Sequence, residues 1–335
     1  MKAIKLKAPG GLDQLHTVDM PDPGNPAPGE IRVRIRASSL NFHDYFVVLG
    51  RIKATDGRIP MSDGSGVVEA IGDDVTTFKV GDHVVSTFHP PWQDGRPKQS
   101  DFGVTPGDGV DGYARECVNR PATWFTHIPK GYSFADAATL TTAGVTAWRA
   151  LVVNGQLKAG ETVVVLGTGG VSIIALQLAK SMGARVIATS SSDAKLERVK
   201  ALGADDVINY KTTPDWGRRV RELSSGLGAD HIVETGGPGT LPQSIRAIGL
   251  GGHISLIGVL TGVSGDIPTA MLMGRQARIQ GVSVGSHRDQ QDLVRAIDIS
   301  GIRPVIDKTF GLTEIADAFR YQESGQHFGK ISLEY

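Results

Sequence analysis

The stretch VVVLGTGGVSIIALQLAKSMGA (163–184) constrains the fold of this chain more than any other. It opens with a run of branched apolar residues that do not alternate, the pattern of a strand buried on both faces. That run meets Gly167-Thr168-Gly169-Gly170-Val171-Ser172, and a helical pattern starts at once. Val171, Ile174, Ala175, Leu178 and Met182 mark one apolar helix face, and Gly183 supplies a left-handed end. Strand, glycine turn and helix in succession aim free backbone N–H groups and a positive helix end at a diphosphate. The full dinucleotide fingerprint has a third glycine where Ser172 stands. Serine is small, so the helix can still approach the sheet.

The surrounding pattern agrees. Strand candidates at Thr162–Leu166, Arg185–Thr189, Val207–Ile208, Ala229–Glu234, His253–Gly258 and Ile279–Val284 alternate with helices near Ser172–Met182, Ala194–Leu202, Pro214–Ser224 and Leu241–Gly249. Such alternation predicts a doubly wound parallel sheet. The first third reads differently. EIRVRIRAS (30–38) alternates Ile31, Val33, Ile35 and Ala37 against Arg32, Arg34 and Arg36, as a half-exposed antiparallel strand does. We read the three arginines as a solvated strand face, not a basic patch. Residues 89–112 hold four prolines and five glycines and form a long loop, either functional or a plain surface excursion. The last fifty residues return to a mixed pattern and end in a strand, Lys330–Leu333. The expected organisation is therefore an α/β chain whose outer segments, 1–125 and 286–335, make a mostly-β domain interrupted by a doubly wound domain at 126–285.

Composition narrows the function classes. Lys+Arg and Asp+Glu each total 35, so a net charge of +0 gives no overall pull toward nucleic acid or anionic membrane. No apolar run approaches a membrane span, and the N-terminus lacks the apolar stretch of a secretory signal. One cysteine, Cys117, rules out an internal disulfide framework and fits a reducing compartment, so a cytoplasmic location is expected.

The choice of dinucleotide falls to the end of the second strand of the α/β unit. A site for NAD carries an acidic residue there to hold the ribose 2′-hydroxyl. This chain has Ser190-Ser191-Ser192 and then Lys195. Hydroxyls in place of a carboxylate do not repel a 2′-phosphate. A lysine in the first turn of a helix opposes the dipole unless an anion offsets it. The cofactor expected is NADPH, held by Gly167, Gly169, Gly170, Val171, Ser190, Ser191 and Lys195. Tyr210, after the third strand, either stacks on the adenine edge or caps the core.

These residues bring the chain close to a known family. It resembles the medium-chain dehydrogenase/reductase superfamily over essentially its whole length, in particular the zinc-free branch of quinone oxidoreductases and enone reductases. The resemblance lies in LNFHDYFVVLGR (40–51), PMSDGSGVVEAIG (60–72), GDHV (81–84), AATLTTAGVTAWRAL (137–151), the glycine turn, LGADDVINY (202–210) and HFGKISL (327–333). It implies a GroES-like catalytic domain joined to a Rossmann cofactor domain.

In the zinc enzymes of the superfamily a cysteine, a histidine and a second cysteine hold the metal. Carried over, these fall at Asn41, Ser62 and Thr142, none of which offers a thiolate or imidazole, so no metal is expected. Without a Lewis acid, hydride addition to a polarised alkene or quinone needs less help than carbonyl reduction, because the charge delocalises onto a conjugated oxygen. The resemblance implies that Asn41 and Thr142 lie near the nicotinamide and that Tyr45 and Phe46 line the substrate pocket in a cleft between the domains. Asn41 and Tyr45 are the catalytic candidates, with Tyr45 or a water as proton donor. Phe46 and Trp92 are the expected substrate contacts, and Thr142, Tyr210, Val259 and Lys330 complete the expected cofactor set. Asp44 and Asp63 are read as structural. Relatives pair the edge at Ala277–Val284 across a two-fold axis, which implies a homodimer. The rival functions are a zinc-free alcohol dehydrogenase or ketone reductase, and an NADPH-binding protein with little turnover.

Overall fold

The computed structural model describes Met1–Tyr335. Its first two strands, β1 (Lys2–Leu6) and β2 (Leu15–Asp19), form a separate antiparallel pair. The alternating segment follows as β3 (Glu30–Ser39). Ile31, Val33, Ile35 and Ala37 are buried on one face, while on the other Arg32 bonds Asp22 and Glu69, and Arg34 bonds Glu69. The arginine face is thus a surface laced with ion pairs. Helix α1 (Phe42–Val48) leads to β4 (Ser65–Ile71), β5 (His83–Ser86), β6 (Cys117–Pro121) and β7 (Phe125–His127). Next come α2 (Phe134–Ala138), a π-helical turn at Leu140–Gly144, and α3 (Val145–Trp148), which runs into a second π-helical turn at Arg149–Asn154.

The α/β segment holds β8 (Thr162–Leu166), α4 (Gly170–Ser181), β9 (Arg185–Ser190), α5 (Asp193–Ala201), β10 (Asp206–Asn209), α6 (Trp216–Leu223), β11 (Ala229–Glu234), α7 (Leu241–Ala247), β12 (Ile248–Leu256), α8 (Thr269–Arg275) and β13 (Arg278–Gly281). The chain then closes with α9 (His287–Ser300), β14 (Ile306–Gly311), α10 (Ile315–Glu323) and β15 (Lys330–Glu334).

Two compact units result, Met1–Val145 with Val284–Tyr335, and Thr146–Ser283. In the outer unit the sheet runs β14-β15-β3-β4-β5-β7, with β6 also paired to β3. In the inner unit six parallel strands run β10-β9-β8-β11-β12-β13, and the order reverses between β8 and β11. An open parallel sheet binds ligands at such a reversal, beyond the carboxyl ends of the strands. Residues 126–145, expected on the cofactor-domain side of the boundary, pack in the outer unit instead. The physical reason is an alanine seam: Ala135 and Ala138 of α2 bury against Ala37 of β3. No helix is long and apolar enough to cross a membrane.

One feature of the inner sheet predicts acid sensitivity. His253 of β12 is buried between His231 and Arg278 on neighbouring strands, and neither ring nitrogen has a hydrogen-bond partner. Burial first, then the charges of Arg278 and His231, lowers this imidazole from 6.5 to about 4. A base depressed in the folded state contributes stability that is complete above 6.5 and is lost as pH falls toward 4. Urea unfolding of His253→Phe is therefore expected to show a shallower loss across that window than the wild type.

Candidate active site

The inner unit builds its site from backbone. Gly167 ends β8 with φ +72, a left-handed turn that glycine adopts without strain. Gly169 is the N-cap of α4 and offers no side-chain bond to the first-turn N–H groups. Its φ of −78 suits any residue, and a methyl built there would meet no protein atom within 4 Å. Packing within the chain therefore does not demand glycine at 169. A ligand drawn tightly onto the helix end does, and a diphosphate fits that cradle. Gly170 and Val171 form the first turn of α4. Ser172, at the third fingerprint position, donates from Oγ to Leu166 O at 2.6 Å, so its hydroxyl replaces a glycine by bonding the end of the strand.

Neighbouring loops converge on this edge. Thr235 Oγ1 donates to the same Leu166 carbonyl at 3.0 Å. Buried Glu234 accepts from the backbone N–H of Gly236 and Gly237 and from the hydroxyls of Thr240 and Ser244. It moulds the loop after β11, which receives Thr261 N–H from the loop after β12, and half-exposed Val259 sits in that second loop. Sequence reasoning missed Glu234 and Thr235. The signal was a carboxylate followed by a hydroxyl and two glycines at a strand end. Ser190 ends β9 and is buried, and Ser191 is half-buried beside it. Tyr210 donates its N–H to Ser190 O at 3.0 Å and leaves its ring 40% exposed at the same edge. Lys195 stands in the first turn of α5, its N–H on the Ser192 N-cap hydroxyl. Asp193, the acidic residue of that turn, is engaged by Asn209 Nδ2 at 2.7 Å.

The outer unit builds its site from side chains around one carboxylate. Asp63 is fully buried. Its Oδ2 accepts from Ser39 Oγ at 2.5 Å and Asn41 Nδ2 at 2.9 Å, and its Oδ1 from Thr142 Oγ1 at 2.5 Å. Asn41 is the N-cap of α1 and forms a reciprocal cap with Asp44, whose Oδ1 takes the N–H of Ser62 at 2.7 Å. Thr142 reaches Asp63 from a π-helical turn, a local irregularity often found at functional positions. Lys330 Nζ donates to Leu40 O and to Asn41 Oδ1, both at 2.6 Å, and lies 3.9 Å from Asp63. Burial raises the Asp63 carboxyl, Lys330 opposes and Asp44 reinforces the rise; burial likewise pulls Lys330 down while both aspartates hold it up.

This geometry redistributes several expected roles. Asn41 and Thr142 do come together, on Asp63. Lys330, expected to touch the cofactor, is buried with its ammonium committed to Leu40, Asn41 and Asp63. Tyr45 lies in the hydrophobic core with its ring stacked on Phe319 at 6.0 Å, and burial followed by a hydrogen bond to Glu323 pushes its hydroxyl up to about 12. Phe46 packs on the same core with Arg51 over its ring at 5.4 Å. Trp92 is buried beside His89 and Phe102, its indole N–H on Gly95 O, and it anchors the 89–112 loop.

Comparison with known proteins identifies the family. A family model of the alcohol dehydrogenase GroES-like domain matches residues 27–130, and one of the zinc-binding dehydrogenase matches 170–299. The chain is 40% identical over 333 residues to a zinc-type alcohol dehydrogenase-like protein of Schizosaccharomyces pombe, covering 97% of this chain and 96% of that one. Among solved structures it is similar to an NAD-dependent alcohol dehydrogenase, with TM-score 0.91, 35% identity and 100% of each chain covered. It is also similar to a mycobacterial protein complexed with NADPH, with TM-score 0.83, 27% identity and 100% of each chain covered. The chain belongs to the medium-chain dehydrogenase/reductase superfamily and is an oxidoreductase of that family, with a GroES-like and a Rossmann domain.

Zinc, named by one family model, can be tested against the donors present. Asn41, Ser62 and Thr142 offer an amide and two hydroxyls, and Asn41 and Thr142 are spent on Asp63. No group of three or more His, Cys, Asp or Glu side chains anywhere in the chain could hold a metal ion. The donor set does not fit zinc.

Proposed function

We propose that this protein is an NADPH-dependent reductase that delivers hydride to an activated alkene or quinone without zinc. The observation that carries the reading is the Asp63 cluster, where amide and hydroxyl donors are tied to a buried carboxylate at the positions the zinc enzymes give to metal ligands. Such a cluster holds these side chains in place and supplies no Lewis acid. That suits a reaction whose negative charge spreads over a conjugated oxygen. The dinucleotide, when bound, supplies the hydride; Gly167, Gly169, Gly170 and Val171 would hold its diphosphate, and Ser190, Ser191, Lys195 and Tyr210 its adenosine end. Val259 would contribute from the loop after β12.

Product analysis with an α,β-unsaturated ketone, run with NADPH and NADH in parallel, tests the reading. A saturated ketone formed with NADPH is the expected result. An allylic alcohol would support the rival, an alcohol dehydrogenase or ketone reductase, which the names of the similar alcohol dehydrogenases favour. Tight NADPH binding without oxidation across enones, quinones and aldehydes would mark a binding protein.

Cofactor choice has its own test. Ser191→Asp restores a carboxylate at the end of β9. It is expected to weaken NADPH by about tenfold or more, roughly 1.4 kcal/mol, and to improve NADH. Titration of both dinucleotides by protein fluorescence measures the change, and equal affinities before and after would sink the 2′-phosphate assignment. We further propose a homodimer through the outer strand β13, whose free edge is a liability until covered. Sedimentation equilibrium checks it, with a monomer at all concentrations as the contrary result.

A further inference from the structure

Saturating a conjugated double bond takes a proton as well as a hydride, and the Asp63 cluster contains no free acid. Lys330 is spent on Leu40, Asn41 and Asp63, and the Tyr45 hydroxyl is bonded to Glu323 and pushed up to about 12. A further titratable side chain stands beside the cluster. His43 is the second residue of α1, two positions after Asn41. Its ring meets Phe88 edge-on at 5.0 Å, and its Nε2 lies 3.2 Å from Asp108 Oδ2, an ion pair whose N–H is not aligned as a hydrogen bond. Asp108 belongs to the long 89–112 loop, so that loop brings a carboxylate to α1. The His43 side chain is 24% exposed, and its contacts with the protein run through Nε2 to Asp108 and through the ring to Phe88. Burial pulls the imidazolium down, but Asp108, with Asp44 and Asp63 as the other carboxylates acting on it, more than restores it, and the net direction is upward. A half-buried imidazole paired with a carboxylate, its protonated form favoured by the charges around it, is equipped to give a proton away.

We propose that His43 is the general acid of this enzyme, with Asp108 as its positioning residue. The inference rests on the reductase reading above. Hydride adds to the β-carbon of the unsaturated carbonyl, the C=C π pair moves toward the α-carbon, and the oxygen carries the charge as an enolate. The His43 Nδ1–H bond then breaks as a C–H bond forms at the α-carbon, the C=O bond is restored, and the ring is left neutral. Water returns the proton to Nδ1. The two electrons come from the reduced dinucleotide and the proton from solvent through His43.

The test combines two variants with a measurement that needs no dinucleotide. His43→Gln is expected to lower kcat on an enone by about 10²- to 10⁴-fold while NADPH affinity and Tm stay at wild-type values. In the wild type, kcat/KM should fall as pH rises through the His43 titration, because the acid is the protonated ring. Asp108→Asn removes the carboxylate that favours the cation. The His43 ring titration, followed by NMR on the protein alone, should therefore move to lower pH, and the falling limb of the rate profile should move with it. An active wild type matched by His43→Gln in rate and pH profile overturns the proposal alone, as does an Asp108→Asn variant whose titration and limb both stay in place. A wild type inert toward enones overturns the reductase reading and this proposal with it.

Discussion

Replacing Asp63 by leucine is expected to destabilise the protein by about 3–5 kcal/mol. The magnitude follows from what the carboxylate does. It is fully buried, accepts from Ser39, Asn41 and Thr142, and faces the Lys330 ammonium at 3.9 Å. Leucine takes the acceptor from half-buried Thr142, leaves Ser39 only its longer bond to Ala138 O and Asn41 its bonds to Asp44 and Ser39 O, and leaves a buried cation with Asp44 as its remaining carboxylate. The cost belongs to those orphaned groups, so it should shrink when the cation goes too. Lys330→Met in the Asp63→Leu background is expected to recover part of the loss, and the two single variants with the double variant form a cycle that measures the coupling. Urea unfolding at neutral pH is the measurement. An Asp63→Leu protein with a wild-type midpoint would mean that the cluster is held by the surrounding packing and that Asp63 is replaceable.

How far the sequence alone revealed this depends on how local each signal was. The β8–turn–α4 unit was legible because every cue sits within 163–184: an unbroken apolar run, glycines at a strand end, and a helical apolar face. Strand β12 starts earlier than its sequence suggests. The sequence predicts a helix to Gly249 and a strand from His253, yet the strand begins at Ile248, drawn into register opposite Ala229 of β11. The last inner strand was read too long. It stops at Gly281, and Val284 turns away with φ +49, a conformation that no propensity for valine foretells. The boundary near 126–145 was invisible because an alanine-rich helix fits either unit by composition, and only its contact with Ala37 decides. In the outer site, Asn41 and Thr142 were reached through family resemblance. Asp63 as the hub that joins them was not, since its partners lie 22 and 79 residues away in sequence. The His43–Asp108 pair joins a helix to a loop that the sequence left undecided. Tyr45 and Trp92 show the same limit in reverse: an aromatic near a motif reads as a pocket wall, and its burial in the fold is not written in the motif.

Gly169→Val is expected to separate folding from cofactor binding. A Cβ at this position meets no protein atom within 4 Å, and φ −78 with ψ 176 is an extended conformation open to side chains. The folded chain should therefore accept the substitution. Removing a glycine also reduces the freedom of the unfolded chain, so stability should hold or rise by about 0.4–1 kcal/mol. The cradle for the diphosphate should not survive. The valine methyls would fill the space through which the phosphates approach the first-turn N–H groups of α4. Losing that approach is expected to weaken NADPH by about 100-fold, roughly 2.7 kcal/mol. Gly167 makes a control of opposite character, because its φ of +72 strains any other residue, and Gly167→Val should cost stability as well as affinity. Thermal unfolding and dinucleotide titration on the same preparations read the two effects separately. If Gly169→Val bound NADPH as the wild type does, the diphosphate would not sit on this helix end, and the assignment of the glycine turn would fall while the fold itself stood.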